Sequence, residues 1–166
     1  MNKIAILYGT SGGSVESVAK QVQDLFEGNA DIYNVLDVSL SEIEDYKYII
    51  VGTSTTGIGD LQDDWEGFLP SFAKIDFTGK KVAIFALCDS ASYSTSFAES
   101  MKVVYDEIHD KVEVVGKVPD VGYTYDDSTA VEDGVWVGLP LDEDNEYDLT
   151  EERLIKWVEQ LKKEFV

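Results

Sequence analysis

Cysteine and histidine are nearly missing from this chain, which holds one of each, Cys88 and His109, in 166 residues. A single cysteine cannot close an internal disulfide, which agrees with a reducing compartment. A lone histidine with no second His or Cys at ligand spacing argues against a metal site. Near the end of a helical stretch, His109 reads as a capping or surface residue that meets the helix dipole. Asp142, Glu143 and Asp144 lack the alternating ligands and glycine of a calcium loop, so no metal is expected there. Long apolar runs are absent too. Nothing approaches the roughly twenty residues of a membrane span, and the N-terminus lacks a basic region followed by an apolar stretch and a cleavage site. The expectation is a cytoplasmic protein that stays off membranes.

Basic residues are scarce: 13 stand against 33 acidic ones, a net charge of −20. Such a surface repels nucleic acid and anionic lipid and draws in basic protein surfaces, with steering that salt weakens. The length fits one domain of the common size, covering residues 1–166, and a hydrophobic fraction of 44% supplies its core.

What the chain does hold is alternation. Lys3–Leu7 reads as a strand, Ser14–Phe26 as a helix with Ser14 as its N-cap and Gly28 its stop, and Asp31–Val35 as a weaker strand. Ser41 and Glu44 stand at capping-box spacing for a short helix. Tyr48–Gly52 reads as a strand buried on both faces, followed by a loop, Thr53–Asp64. A helix through Trp65, Phe68, Leu69 and Phe72 then ends near Pro70. Lys81–Leu87 is the strongest strand, Phe97–His109 an amphipathic helix and Val112–Val118 a fifth strand. A closing helix starts at Leu149 with Thr150 as a cap. Gly122–Tyr125 and Gly134–Leu139 read as short strands of an excursion that interrupts the fifth. This order predicts an α/β fold, a single-domain doubly wound parallel sheet whose ligands lie outside the carboxyl ends of the strands.

The turn Tyr8-Gly-Thr-Ser-Gly-Gly-Ser-Val-Glu16 closes the first strand and opens the first helix. Free amides and the helix dipole at that point suit a phosphate, with Thr10, Ser11 and Ser14 as hydroxyl donors and Gly9, Gly12 and Gly13 letting the backbone curl. It lacks the lysine of a nucleoside-triphosphate loop and the spacing of a dinucleotide fingerprint, so a bound phosphate monoester fits better. A βα turn that binds nothing is the equal alternative for this loop alone.

Further blocks occur in order: Gly59-Asp-Leu-Gln-Asp-Asp-Trp65, Phe85-Ala-Leu-Cys-Asp89 leading to Tyr93, Gly122-Tyr123, Val137-Gly138, Leu141-Asp-Glu-Asp-Asn145 and Thr150-Glu-Glu-Arg153. With them the chain resembles the long-chain flavodoxins over essentially its whole length. The resemblance implies a five-stranded sheet in the order 2-1-3-4-5 and non-covalently bound FMN. It implies a low-potential one-electron carrier between a reductase and acceptor enzymes, monomeric and without catalysis of its own. It places the phosphate on Thr10, Ser11, Gly12, Gly13, Ser14 and Val15. One face of the isoalloxazine falls against Thr55, Thr56, Gly57, Ile58 and Gly59, and the other against Leu87, Cys88, Asp89, Tyr93 and Phe97. Asp144 falls near the ribityl chain. Gly57 would let the Gly57–Ile58 peptide turn over so that its carbonyl accepts from the N5–H of reduced flavin, and Asp60, Asp63, Asp64 and Asp89 would oppose negative charge on the ring.

The chain departs from the family pattern at Gly12 and Val15, where hydroxyls are usual, at Thr56, where many members place a tryptophan, and at Ala86 and Cys88, where glycines are usual. These changes predict weaker FMN binding. The alternative is a flavodoxin-like binding or regulatory protein with altered flavin binding. A flavin-dependent reductase acting on a small molecule over Thr56 is the third reading.

Overall fold

Five apolar residues, Ile-Ala-Ile-Leu-Tyr, form β1 (Ile4–Tyr8), buried throughout because it is central in the sheet and a packed layer covers each of its faces. The structure is a computed structural model that describes residues 2–166. In chain order β1 is followed by α1 (Ser14–Leu25), β2 (Ala30–Asn34), α2 (Leu40–Glu44), β3 (Tyr48–Thr56), β4 (Asp60–Leu61), α3 (Asp63–Phe72), β5 (Lys81–Leu87) and α4 (Ser100–Ile108). Then come β6 (Glu113–Val115), β7 (Val118–Pro119), β8 (Val131–Glu132), β9 (Val135–Trp136), β10 (Leu139–Leu141) and α5 (Tyr147–Glu164).

The sheet runs β2-β1-β3-β5, all parallel, and both β6 and β10 pair with β5 along the next edge. β6 covers Lys81–Ala83 and β10 covers Phe85–Leu87, so together they are one fifth strand split by an insertion. The order 2-1-3-4-5 is therefore present, with the small antiparallel sheet β7-β9-β8 inside the insertion. Gly138 is the re-entry point. A Cβ there would lie 2.2 Å from the Ile84 carbonyl oxygen, so only glycine lets the chain return against β5.

Helices cover both faces. α1 and α5 bury Val18, Val22, Leu154, Trp157 and Leu161 against one, and α3, α4 and the insertion bury Trp65, Phe72, Met101 and Trp136 against the other. No helix among the described residues is long and apolar enough to cross a membrane.

Local boundaries differ from the sequence pattern for identifiable reasons. Gly13, not Ser14, caps α1: its carbonyl accepts from Ser17 N at 3.1 Å, and its left-handed φ of 93° turns the chain into the helix. Ser39, not Ser41, caps α2, accepting from Glu42 N while its hydroxyl donates to Glu42 Oε1 at 3.0 Å. Ser and Glu at N-cap and N3 spacing are thus present two residues earlier than expected, joined hydroxyl to carboxylate. Thr150 sits inside α5 and donates to Glu143 Oε2 at 2.9 Å instead of capping. β3 runs on to Thr56 because β4 folds back on its end, pairing Thr55 with Leu61 and Thr56 with Asp60. α4 starts at Ser100, after a left-handed Ala98 (φ 55°), and β6 stops at Val115 because Gly116 (φ 74°) turns the chain away. Gly122–Tyr125 forms no strand. Pro70 lies within the last turn of α3, as expected.

Candidate functional site

The turns after β1, β3 and β5 open on one side of the sheet, and between them lies a pocket of about 380 Å³. Thr10, Ser11, Gly12, Ser14 and Val15 form one end. Ser54, Thr55, Thr56 and Gly57 form one wall, and Leu87, Cys88, Asp89 and Tyr93 the opposite one, with Glu143 and Asp144 alongside.

At the first end the start of α1 receives no side-chain cap. Its first-turn amides have no partner within the helix and carry the positive end of its dipole. Thr10 Oγ1 accepts from Gly13 N at 2.9 Å, Gly9 N donates to Gly52 O at 3.2 Å, and Gln62 Nε2 donates to Ser11 Oγ at 3.2 Å, so the loop is braced from behind. Nothing lies within 4 Å of a Cβ built on Gly12 or Gly13. No lysine or arginine lines the pocket. This end can take an anion on neutral donors.

The β3–β4 hairpin forms the tip of one wall. Gly57 and Gly59 have φ of 52° and 78°, and Ile58 between them is 81% exposed. Thr55 anchors the wall: its hydroxyl donates to Ser100 Oγ at 2.7 Å and accepts from Ser100 N at 3.2 Å.

Asp89 organises the other wall. Its carboxylate accepts from Ala91 N, Ser92 N, Ser92 Oγ and Asn145 Nδ2 at 2.8–3.1 Å. Those donors, Asn145 first, hold its acidity above that of an ordinary aspartate. Tyr93 N donates to Asp89 O at 3.0 Å, setting the ring at the pocket mouth, where it is 36% exposed. Fully buried Asp142 ties this wall to the next loop through Ser90 N, Ser90 Oγ, Asp144 N and Asn145 N. Burial, then repulsion from Asp89 and Asp142, raises the Asp144 carboxyl above its usual range, and burial pushes the Cys88 thiol up. An unreactive thiol results.

Four residues expected at the site lie outside the pocket lining. Gly13 is the pivot of α1, Ile58 and Gly59 form the hairpin tip outside the lining, and Phe97 is 0% exposed. The Phe97 ring packs on Tyr125 and Trp136 at 5.6 and 5.7 Å, because the left-handed Ala98 turns residue 97 down toward the insertion. Tyr123, Tyr125 and Trp136 are accordingly packing residues. Ser54 and Glu143 line the pocket although the sequence did not single them out as site residues. Both adjoin expected positions, and that adjacency was the available signal. Asp63 and Asp64 stand in the first turn of α3, so the carboxylates lining the pocket are Asp89, Glu143 and Asp144.

Fold and pocket together define a doubly wound α/β protein with a neutral anion seat beside an exposed aromatic ring. The family model described as Flavodoxin matches residues 6–157. The flavodoxin of Nostoc sp. (strain PCC 7120) is 42% identical over 167 residues, covering 98% of this chain and 97% of that one. That of Helicobacter pylori is 41% identical over 165 residues, covering 99% of each. The crystal structure of Fusobacterium nucleatum flavodoxin bound to flavin mononucleotide matches with a TM-score of 0.93 at 30% identity, covering all of both chains. The chain belongs to the flavodoxin family.

Proposed function

We propose that this chain is a monomeric, single-domain carrier of single electrons that binds FMN non-covalently in the pocket between the three turns. The observation that carries the reading is the uncapped start of α1 opening into the same pocket as the exposed Tyr93 ring. The residues fit the group. A phosphate needs donors, and the amides of residues 11, 12, 14 and 15 with the hydroxyls of Thr10, Ser11 and Ser14 supply them without a cation. A planar ring needs an aromatic face and a second flat wall, which Tyr93 and the Thr56–Gly57 backbone supply. The pocket volume falls within the usual ligand range of about 300–1,000 Å³.

FMN supplies the redox chemistry, taking up and giving up electrons one at a time. The protein's part is to bind, orient and tune. Gly57, at a φ of 52°, would let its peptide with Ile58 reorient toward a bound ring. Asp89, Glu143 and Asp144 make added negative charge at the ring costly, which sets a low potential. Nothing in this role calls for a nucleophile or a general base.

A net charge of −20 supports basic-surfaced reductase and acceptor proteins as partners, in the cytoplasm. The second reading is a flavodoxin-like protein with weakened flavin binding. It is favoured by Gly12, by Thr56, and by Val15, whose side chain is 2% exposed and faces the core. Titration of the flavin-free chain with FMN separates the two. Saturation below about 1 μM supports the carrier, and no binding at micromolar FMN supports the alternative.

A further inference from the structure

The insertion between β6 and β10 does more than cover the sheet. Its segment 126–129 lies on the chain between Ser94 and Glu99: Asp126 N and Asp127 N donate to Ser94 O at 2.8 and 2.9 Å, and Phe97 N donates to Asp127 O at 3.3 Å. Ser128 Oγ donates to Phe97 O. The last contact is Thr129 N, which donates to Glu99 Oε2 at 2.8 Å.

The other oxygen of that carboxylate lies against Gly59 at the hairpin tip. A Cβ at Gly59 would lie 2.6 Å from Glu99 Oε1 and 3.3 Å from the Glu99 Cβ, so Glu99 occupies the space a side chain at position 59 would fill. Glu99 itself is fixed at the N-cap of α4, and Ser100, its neighbour, is bonded twice to Thr55 at the base of the same hairpin. Lys102, one turn on, is taken by Asp106 and Glu132 at 3.0 and 2.6 Å.

We propose that Glu99 is a positioning residue through which the insertion holds the tip of the β3–β4 hairpin beside the pocket. The tip has two left-handed glycines around an exposed Ile58 and only two residue pairs tying it to β4. Left to itself such a turn is free to sample several conformations. Glu99 restricts it from below while the insertion backbone pins Glu99. A protein that touches the insertion therefore alters the freedom of Gly57–Gly59. For the ring, the consequence rests on the carrier reading given above; the mechanical coupling does not.

The test is ¹⁵N relaxation on the full-length chain, with and without FMN, for wild type, Glu99→Ala and Glu99→Gln. In Glu99→Ala the order parameters of Ile58 and Gly59 fall from the rigid range near about 0.85 toward the flexible range below about 0.6. Glu99→Gln, which can still accept from Thr129 N, keeps them near wild type. With FMN bound, the gap between the two one-electron potentials changes in Glu99→Ala and stays constant in Glu113→Gln, a charge removal at the far end of the sheet. Wild-type order parameters in Glu99→Ala, or an unchanged gap, overturn the proposal. The flavin-free measurement stands whether or not FMN binds, so failure of the carrier reading is told apart from failure of this one.

Discussion

Gln62 reaches two elements at once: its side-chain oxygen accepts from Asp64 N and Trp65 N at 3.1 and 3.2 Å, capping α3, while its amide nitrogen donates to Ser11 Oγ at 3.2 Å. One buried side chain thus joins the start of a helix to the anion loop, and its loss has two separable effects. Gln62→Ala costs about 1 kcal/mol of stability in urea unfolding of the flavin-free chain, the usual value of a lost cap. It also weakens FMN binding in a titration, because Ser11 loses its brace.

Ser14 behaves differently. The residue lines the pocket, and its side chain caps nothing, since Gly13 holds the cap position. Ser14→Ala leaves the unfolding free energy of the flavin-free chain within about 0.5 kcal/mol of wild type. Its FMN dissociation constant rises. A stability loss near 1 kcal/mol with unchanged affinity would assign Ser14 to the helix and not to the ligand.

Restoring the groups that the family pattern carries tightens binding. Gly12 has open space around a built Cβ, so Gly12→Thr fits and adds a donor to a charged group, about 1.5–3 kcal/mol or roughly tenfold to a hundredfold in affinity. Thr56→Trp adds a stacked aromatic, about 1 kcal/mol or roughly fivefold. Fluorescence titration of both variants measures this, and no gain in either would place the phosphate or the ring elsewhere.

Alkaline stability follows from Tyr123. Burial pushes its hydroxyl up to about 12 from an ordinary value of 10.0, against the opposing pull of Arg153. The unfolded chain therefore releases this proton first. The contribution to stability is full below pH 10.0, erodes as pH rises toward about 12, and amounts to about 3 kcal/mol. Tyr123→Phe gives up the bond to Pro140 O, 2.9 Å in the wild type, at a cost of about 1 kcal/mol at pH 8. Its unfolding free energy then falls less steeply than wild type between about pH 10 and 12, as denaturant curves across that range would show.

Partner charge is testable by salt. Electron transfer to a basic haem protein slows as ionic strength rises from about 0.01 to 0.5 M, while transfer to an acidic one of similar potential speeds up. Stopped-flow rates independent of salt for both would remove electrostatic steering from the account.

The sheet was legible because β1, β3 and β5 are apolar runs buried on both faces, and Lys81–Leu87 was bounded to the residue. The anion loop was legible for a related reason: glycines and hydroxyls between such a strand and an amphipathic helix have few other uses. Less visible were features decided by partners distant in sequence. β4 is too short to show a period, and exists because it pairs with the end of β3. Phe97 looked like a pocket residue until the turn at Ala98 redirected it. The insertion strands, two residues each, follow pairing within the insertion more than any pattern of their own.

Because β6 ends opposite Ala83 and β10 begins opposite Phe85, residues 116–138 leave and rejoin the sheet at almost the same height. That makes the segment a removable cassette as far as strand alignment goes: splicing Val115 toward Leu139 keeps every other strand in register, but the shortened chain would need polar cover for the surface left bare beneath Trp136 and new partners for Ser94 O, Phe97 N and Phe97 O.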